Sequence, residues 1–519
     1  MITPETLKEH VNGVATQADS PHGQPIVAAA LRKLLSSIPE KVDFRNLAFP
    51  EEAAERHERD ELFKYLADKP IKGTNQERKE KSERMQSLQK RIESRRVTDQ
   101  HRIVIAIEII LETATENGWG LCMHQGYYYV YTGTHWVRVD EPELKNFIGE
   151  AAERMGVEKL KSRYYEFKDK LFKQFATSAH LPAPEYDAEI VLINLANGTF
   201  EITPKYQELR PPKAVDFLTY QLQFRYDSKA KAPQFHRYLE EVLPDPESRK
   251  VLAEFMGYLF TRGMKLEKVL FLYGAGRNGK SVLFEIIRAM LGDENITYYS
   301  LSNLTDESGY YRAKLSGKLV NWASDIGDRL QSNTFKQLAS GEPIEARLPY
   351  RDPFMLTNVC KFAFNTNQLP ADVEHTAAYF ERFLIIPFDV YIKPENRDPD
   401  LPKKIIHREL PGVFNWVLDG LSRLLQQGGF SRCEASNKAL ETYKKEADSV
   451  AMFVDERNFK PHTEHYKGSQ ELYQSYKAYC YDEGLRALAR KNFNKRMNGL
   501  GFFDQRKEIG RVFFMTVGG

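Results

Sequence analysis

The chain has 519 residues, 42% hydrophobic and 28% charged, with a formal net charge of +2. Such a length allows three or four domains of about 150 residues, and the composition is that of an ordinary globular protein. No run of about 18 apolar residues occurs, which argues against a helical membrane span, and the near-neutral charge confines any nucleic-acid footprint to local patches. The first residues, MITPETLKEH, lack the apolar core of a signal peptide. Cys122, Cys360, Cys433 and Cys480 are scattered. They suggest neither a disulfide framework nor a zinc site, so the chain reads as cytoplasmic, without a membrane partner.

Residues 1–100 read as a charged helical region. Between Asn75 and Arg96 lie Arg78, Lys79, Lys81, Arg84, Lys90, Arg91, Arg95 and Arg96. The pattern favours a solvated helix over a DNA-contacting arm.

Residues 101–230 read as a separate α/β module. His101–Thr115 is an amphipathic helix. Gly126–Tyr131 and His135–Val139 are strands joined at Thr132-Gly133-Thr134, which predicts a hairpin. Its aromatic rings fit packing of a small sheet better than base stacking. Leu192–Phe200 reads as a further strand with a tight turn.

Residues 231–430 carry the strongest signal. Helices at Phe235–Leu243 and Arg249–Phe260 lead to the apolar strand Val269–Tyr273. Then comes Gly274-Ala275-Gly276-Arg277-Asn278-Gly279-Lys280-Ser281, and Val282 continues into a helical pattern. Strand, G-x-x-x-x-G-K-S loop and helix together predict a phosphate-binding loop. Glycines let backbone N–H groups turn inward around phosphate, and the helix head adds partial positive charge. Lys280 is expected on the β- and γ-phosphates of ATP, and Ser281 on Mg²⁺.

Further on, Lys318–Ala323 is a mostly apolar strand ending at Ser324-Asp325-Ile326-Gly327-Asp328. A carboxylate at that position can hold Mg²⁺ or polarise water, with Asp325 the first candidate and Asp328 the second. Asn358–Asn367 reads as a strand ending in amides that can orient water, and Arg382 precedes the apolar strand Phe383–Ile386. A helix over Leu410–Gln427 closes the block.

Residues 431–519 suggest helices at Ala435–Asp448, Ser449–Phe459, Ser469–Asp482 and Ala489–Leu500, then strands at Gly501–Phe503 and Val512–Met515. Helices followed by a short hairpin predict a winged helix. Arg490, Lys491, Lys495 and Arg496 fall on its recognition helix, with Arg506, Lys507 and Arg511 on the wing.

The ordered runs GAGRNGKS, ASDIGD, KQLASGEPIEARLPYRDPF, KFAFNTNQLP and YFERFLIIPF resemble the superfamily 3 helicases. The resemblance is to the helicase part of the poxvirus and phage/plasmid helicase–primase family, over roughly residues 105 to 515. It implies an α/β fold with an AAA+-like core, assembled as a hexameric ring that hydrolyses ATP and moves 3′ to 5′ on single-stranded DNA. It casts Lys280 and Ser281 as the Walker A pair, Asp325 as the Walker B acid, Asn367 as the sensor and Arg382 as a finger reaching the neighbour's ATP. Where Asp325 stands the family often has Glu. Lys336, Gly341, Glu342, Arg347 and Tyr350 match the intervening motif. The hairpin around Tyr350 and Arg351 would enter the channel, so DNA contacts are expected from Lys336, Arg347, Tyr350 and Arg351.

These features predict a helicase acting on single-stranded and forked DNA in a phage, satellite or mobile element, within a bacterial host's cytoplasm. No primase signature is seen, so priming falls to a separate primase or initiator. Two other readings stay open: a DNA-stimulated translocase without processive unwinding, and an origin-binding initiator switched by ATP.

Overall fold

Helix α1 spans Gly23–Ser37, α2 Glu52–Ala67, α3 Asn75–Ser94 and α4 Asp99–Glu116. The structure is a computed structural model that describes residues 23–68, 73–118, 120–124, 126–181, 187–324, 326–327, 330–349, 352–357, 360–370, 376–485 and 487–518. A reciprocal capping box between Thr74 and Glu77 starts α3, and Thr98 with His101 starts α4. α3 buries only Leu88 and Ile92. Ion pairs cross the helical hairpin it forms with α2: Arg84 meets Glu58 at 2.8 Å, Arg91 meets Glu55 at 3.0 Å, and Arg95, just past α3, meets Glu51, just before α2, at 2.7 Å. Three of the eight cations of the basic run are therefore paired within the hairpin.

Strands β1 (Leu121–His124), β2 (Tyr127–Tyr131) and β3 (Trp136–Val139) form an antiparallel sheet, backed by α5 (Glu141–Arg154) and α6 (Tyr165–Ser178). Ile107, Ile110, Val130, Ile148, Leu171 and Phe175 are fully buried in its core. The rings of Tyr127, Tyr129, Tyr131 and Trp136 pack around Phe217 instead of facing solvent, and the Trp136 indole donates to Ala214 O at 2.8 Å.

The described residues divide into two compact units. One lies within Met1–Glu185 and Pro211–Gln221, the other within Tyr186–Arg210 and Leu222–Gly519.

In the second unit, the expected strand at 192–200 is a tight hairpin of two strands, β4 (Val191–Leu195) and β5 (Gly198–Ile202), extended by β6 (Gln207–Arg210). Helices α7 (Pro233–Val242) and α8 (Pro246–Tyr258) precede β7 (Val269–Tyr273) and α9 (Lys280–Leu291). Then follow β8 (Ile296–Thr297), β9 (Val320–Ala323), α10 (Ser332–Ser340), the hairpin strands β10 (Ile344–Ala346) and β11 (Phe354–Leu356), β12 (Lys361–Thr366) and β13 (Phe383–Pro387). The main sheet has five strands in the order β13-β7-β12-β9-β8, and every pairing is parallel. Its central strands are almost continuously buried because both faces are covered.

Helix α11 runs from Leu401 to Gln427, nine residues earlier than the sequence suggests. Pro411 reads like a helix start but lies inside the helix, while Pro402 sits in the true first turn. Glycines set how closely α11 approaches its neighbours. A Cβ on Gly420 would lie 2.3 Å from Ala253 C of α8, and one on Gly412 would lie 2.4 Å from Lys231 C. Two buried glutamates fasten its surroundings. Glu409 accepts from Gln234 N and Phe235 N, capping α7. Glu254 of α8 accepts from Ser431 N at 2.8 Å and from Arg423 at 3.2 Å.

The chain ends with α12 (Glu434–Glu446), α13 (Ser449–Glu456), β14 (Phe459–Gly468), α14 (Ser469–Asp482), α15 (Arg490–Gly499), β15 (Asp504–Lys507) and β16 (Gly510–Val517). β14 was not expected. Its sequence, FKPHTEHYKG, has no apolar alternation, and its register with β16 shifts between Pro461 and Tyr466. The expected strand at 501–503 begins instead at Asp504. Asp448, 1% exposed, caps α13 through Ala451 N and binds Arg496 of α15 at 2.5 Å.

Ala in place of Gly normally strengthens a helix. Gly420→Ala is expected to destabilise instead, by about 1–3 kcal/mol, because backbone must move aside. A urea titration gives the sign, and a stabilised variant would contradict the close approach. Arg496→Ala leaves a buried carboxylate unpaired and is expected to cost ~2–3 kcal/mol, below the fully buried limit because Arg496 is partly exposed. Adding Asp448→Asn, which keeps a cap but removes the charge, should recover part of that loss in a double-mutant cycle.

Candidate functional site

The parallel register brings three chain segments to the carboxyl end of the sheet. Thr366 of β12 and Pro387 of β13 both lie level with Tyr273, the last residue of β7. In open α/β sheets this edge is where ligands sit. Residues 274–279, Asn367 and Phe388 therefore emerge side by side.

The loop after β7 is fixed by close contacts. Gly274 N donates to Thr366 O at 3.1 Å. A Cβ on Gly274 would lie 2.3 Å from both Asn278 Nδ2 and Phe388 O, so only glycine fits. Gly276 (φ +97°) and Gly279 (φ +89°) take left-handed backbone, and Arg277 does so at φ 55° despite its side chain. Arg277 O accepts from Ile392 N at 3.0 Å, and Gly279 O accepts from the Tyr238 hydroxyl at 2.8 Å. A Cβ on Gly276, by contrast, would meet no atom within 4 Å. The middle of the loop is open while its two ends are clamped.

Lys280 is the first residue of α9 and is 8% exposed. Its Nζ donates to Gly274 O at 2.7 Å and to Asn278 Oδ1 at 3.0 Å. Burial lowers the pKa of this amine. Asn278, itself buried, uses its other amide atom to donate to Phe388 O at 2.7 Å. Ser281 is exposed in the first turn, with Val282 behind it. α9 has 12 residues, so its head carries the partial positive charge of a full helix.

Two asparagines stand at the end of β12. Asn365 is buried, and its Oδ1 accepts from the Trp322 indole at 3.0 Å, whereas Asn367 is exposed just past the strand. Asp325 and Asp328 lie outside the described residues, as do Tyr350 and Arg351.

Arg382 sits at the opposite edge. Its carbonyl accepts from Val269 N, the first residue of β7. Its guanidinium meets Glu267 at 2.9 Å and donates to Ala378 O. The five residues of β7 separate that edge from the loop, about 16 Å of strand. Lys336 lies half-buried on α10, and its carbonyl faces Arg382 Nε at 3.4 Å. Arg347 is exposed immediately after β10. Buried Arg312 braces that hairpin by donating to Glu345 O at 2.9 Å. On α15, Arg490, Lys491 and Lys495 are exposed, while Arg496 is held by Asp448.

Sequence reasoning missed Tyr238 and the strap at 388–392 that ties down the loop. Neither carries a local signal, because both act on the loop from distant segments. Among the described residues, no helix is long and apolar enough to cross a membrane.

Among solved structures, two apo structures of the NrS-1 C-terminal region align with 12% identity. They cover 79% of this chain and 99% or 98% of theirs, each with a TM-score of 0.42. A family described as "D5 N terminal like" matches residues 108–244, and a "Family of unknown function (DUF5906)" matches residues 272–382. "Putative helicase L207/L206" of Acanthamoeba polyphaga mimivirus is 22% identical over 343 residues, covering 58% of this chain and 35% of that protein. "Putative helicase 121R" of Invertebrate iridescent virus 3 is 24% identical over 246 residues, covering 43% of this chain and 25% of that protein. The chain thus spans only about a quarter to a third of the length of these relatives, 25% and 35%. The D5 N-terminal-like segment and the viral relatives point the same way as the ordered motifs: the chain is similar to helicase–primase-like proteins of phages and viruses.

Proposed function

We propose that the protein is an ATP-hydrolysing, ring-shaped DNA helicase that moves 3′ to 5′ on single-stranded DNA and opens forked duplex during replication of a phage, satellite or mobile element. The reading rests above all on Lys280. A buried ammonium at the head of a full helix, satisfied among the described residues by a carbonyl and an amide oxygen, is poised to exchange those acceptors for phosphate oxygens. The open space at Gly276 beside clamped Gly274 and Gly279 fits a phosphate cradle.

Within that reading, backbone amides of residues 274–279 hold the phosphates, and Lys280 stabilises the charge that develops on the transferred group. Ser281 and Asp325 would hold Mg²⁺, which neutralises phosphate charge when bound. Asn367 orients the attacking water, and Asp325 polarises it, with Asp328 as the second candidate. Arg382 lies too far from its own loop to serve it. Its role is on the nucleotide of a neighbouring subunit, which makes a hexameric ring the active unit.

Lys336, Arg347, Tyr350 and Arg351 form the grip on the single strand in the channel. Residues 431–519 act as a winged helix on duplex DNA through exposed Arg490, Lys491 and Lys495, while Arg496 orients α15 from behind. A separate primase or initiator supplies priming in the host cytoplasm.

Lys280→Ala is expected to abolish ATP hydrolysis with the fold intact, as read by circular dichroism. A soluble variant hydrolysing at the wild-type rate would remove the loop from the mechanism. Arg382→Ala should still bind ATP yet lose about 10³–10⁵ in hydrolysis rate. Mixing the two variants should restore part of the activity if subunits share sites. A forked-duplex unwinding assay separates a helicase from a translocase or an ATP-switched initiator.

A further inference from the structure

The carboxyl-terminal sheet has two unlike faces. β16 lies between β14 and β15. Phe513 and Met515 of β16 point into the core with Phe453, Tyr476 and Phe493. By strand alternation Phe514 points the other way. Tyr466 on β14 lies directly opposite Phe514. On the far side, Phe514 N donates to Phe503 O at 2.9 Å, which sets Phe503 beside it. Three rings thus cross the outer face in one row. Centroids are 5.9 Å apart for Tyr466–Phe514 and 5.8 Å for Phe503–Phe514.

The row is not a second core. Phe503 is 67% exposed and Tyr466 41%, with only the central Phe514 covered. A cation accompanies it. Lys507 Nζ stands 3.8 Å from the Tyr466 ring centroid and 5.1 Å from that of Phe514. The acid on the same strand, Asp504, is engaged elsewhere, by Arg511 at 2.9 Å and Asn498 at 2.9 Å. Arg506 is exposed on the same strand. Exposed rings beside a lysine match a polyanion whose units each carry a flat π face.

We infer that the outer face of this sheet binds single-stranded DNA, with Phe503 and Tyr466 stacking on unpaired bases and Lys507 meeting a backbone phosphate. This rests on the DNA-directed reading above but adds a surface that reading does not use. Duplex DNA covers its base faces by its own stacking, so only unpaired nucleotides can use these rings. The platform is also separate from α15, whose Phe493 and Met497 pack on the core side. One small domain then offers a helix for duplex and a sheet for single strand, the two substrates that meet at a fork.

The test uses the full chain without nucleotide, with fluorescent oligothymidylate and a hairpin duplex as probes. Phe503→Ala and Tyr466→Ala replace exposed rings, and each should weaken oligothymidylate binding about tenfold, leaving duplex binding unchanged. Their slope of log affinity against log salt should match wild type. Lys507→Gln should flatten that slope by about 0.7, one phosphate's worth. Ultraviolet crosslinking of a 5-bromodeoxyuridine oligonucleotide should map to Phe503 or Tyr466. Unchanged oligothymidylate affinity in the Phe503→Ala/Tyr466→Ala double variant, or equal losses on duplex, would overturn the platform. If ATP hydrolysis and wild-type DNA binding persist in that case, the helicase reading survives without it. A wild-type protein that binds no oligothymidylate would sink both.

Discussion

Asn278 is the residue through which the loop is held in shape. One end of its amide accepts from Lys280 and the other donates to Phe388 O. Both partners are buried, so neither contact competes strongly with water. The amide fixes Lys280 near the loop's centre and ties the loop to the exit of β13. Gly274 must lack a side chain because this amide and the Phe388 carbonyl fill the space where a Cβ would be. The glycine spacing of the loop is thus a packing demand as much as a conformational one.

Around that latch the molecule separates its charges by location. Arg84 and Arg91 of α3 are matched to carboxylates of α2. Arg312 and Arg496 are spent on internal support. Lys491 and Lys495, exposed at a proposed DNA surface, stand on one side of α15, a turn apart. Net charge near zero therefore hides a distinction between cations that brace the fold and cations that face outward.

The strand–loop–helix at 269–291 was legible because its signals are local: an apolar run, spaced glycines and a helical period. The hairpin at 127–139 was legible for the same reason, and its rings pack inward as expected. Long-range effects left no such trace. The Asp448–Arg496 pair joins residues 48 apart, and nothing near Arg496 announces that its charge is taken. The true start of α11, nine residues before Leu410, was missed because the helix continues through Pro411. β14 escaped notice because Pro461 and its polar run lack strand periodicity, and pairing with β16 overrides that lack.

Strand β13 links two places that share no contact. It enters beside Arg382 and leaves at Phe388, and its residues are locked in register against β7 from Phe383 to Pro387. An extended backbone is already near its greatest length, so it cannot stretch to absorb a pull. A pull on the guanidinium at one end would move the carbonyl gripped by Asn278 at the other, like a tie rod. Load applied at one edge of the sheet reaches the loop in this way, without any side chain between the two having to change its rotamer.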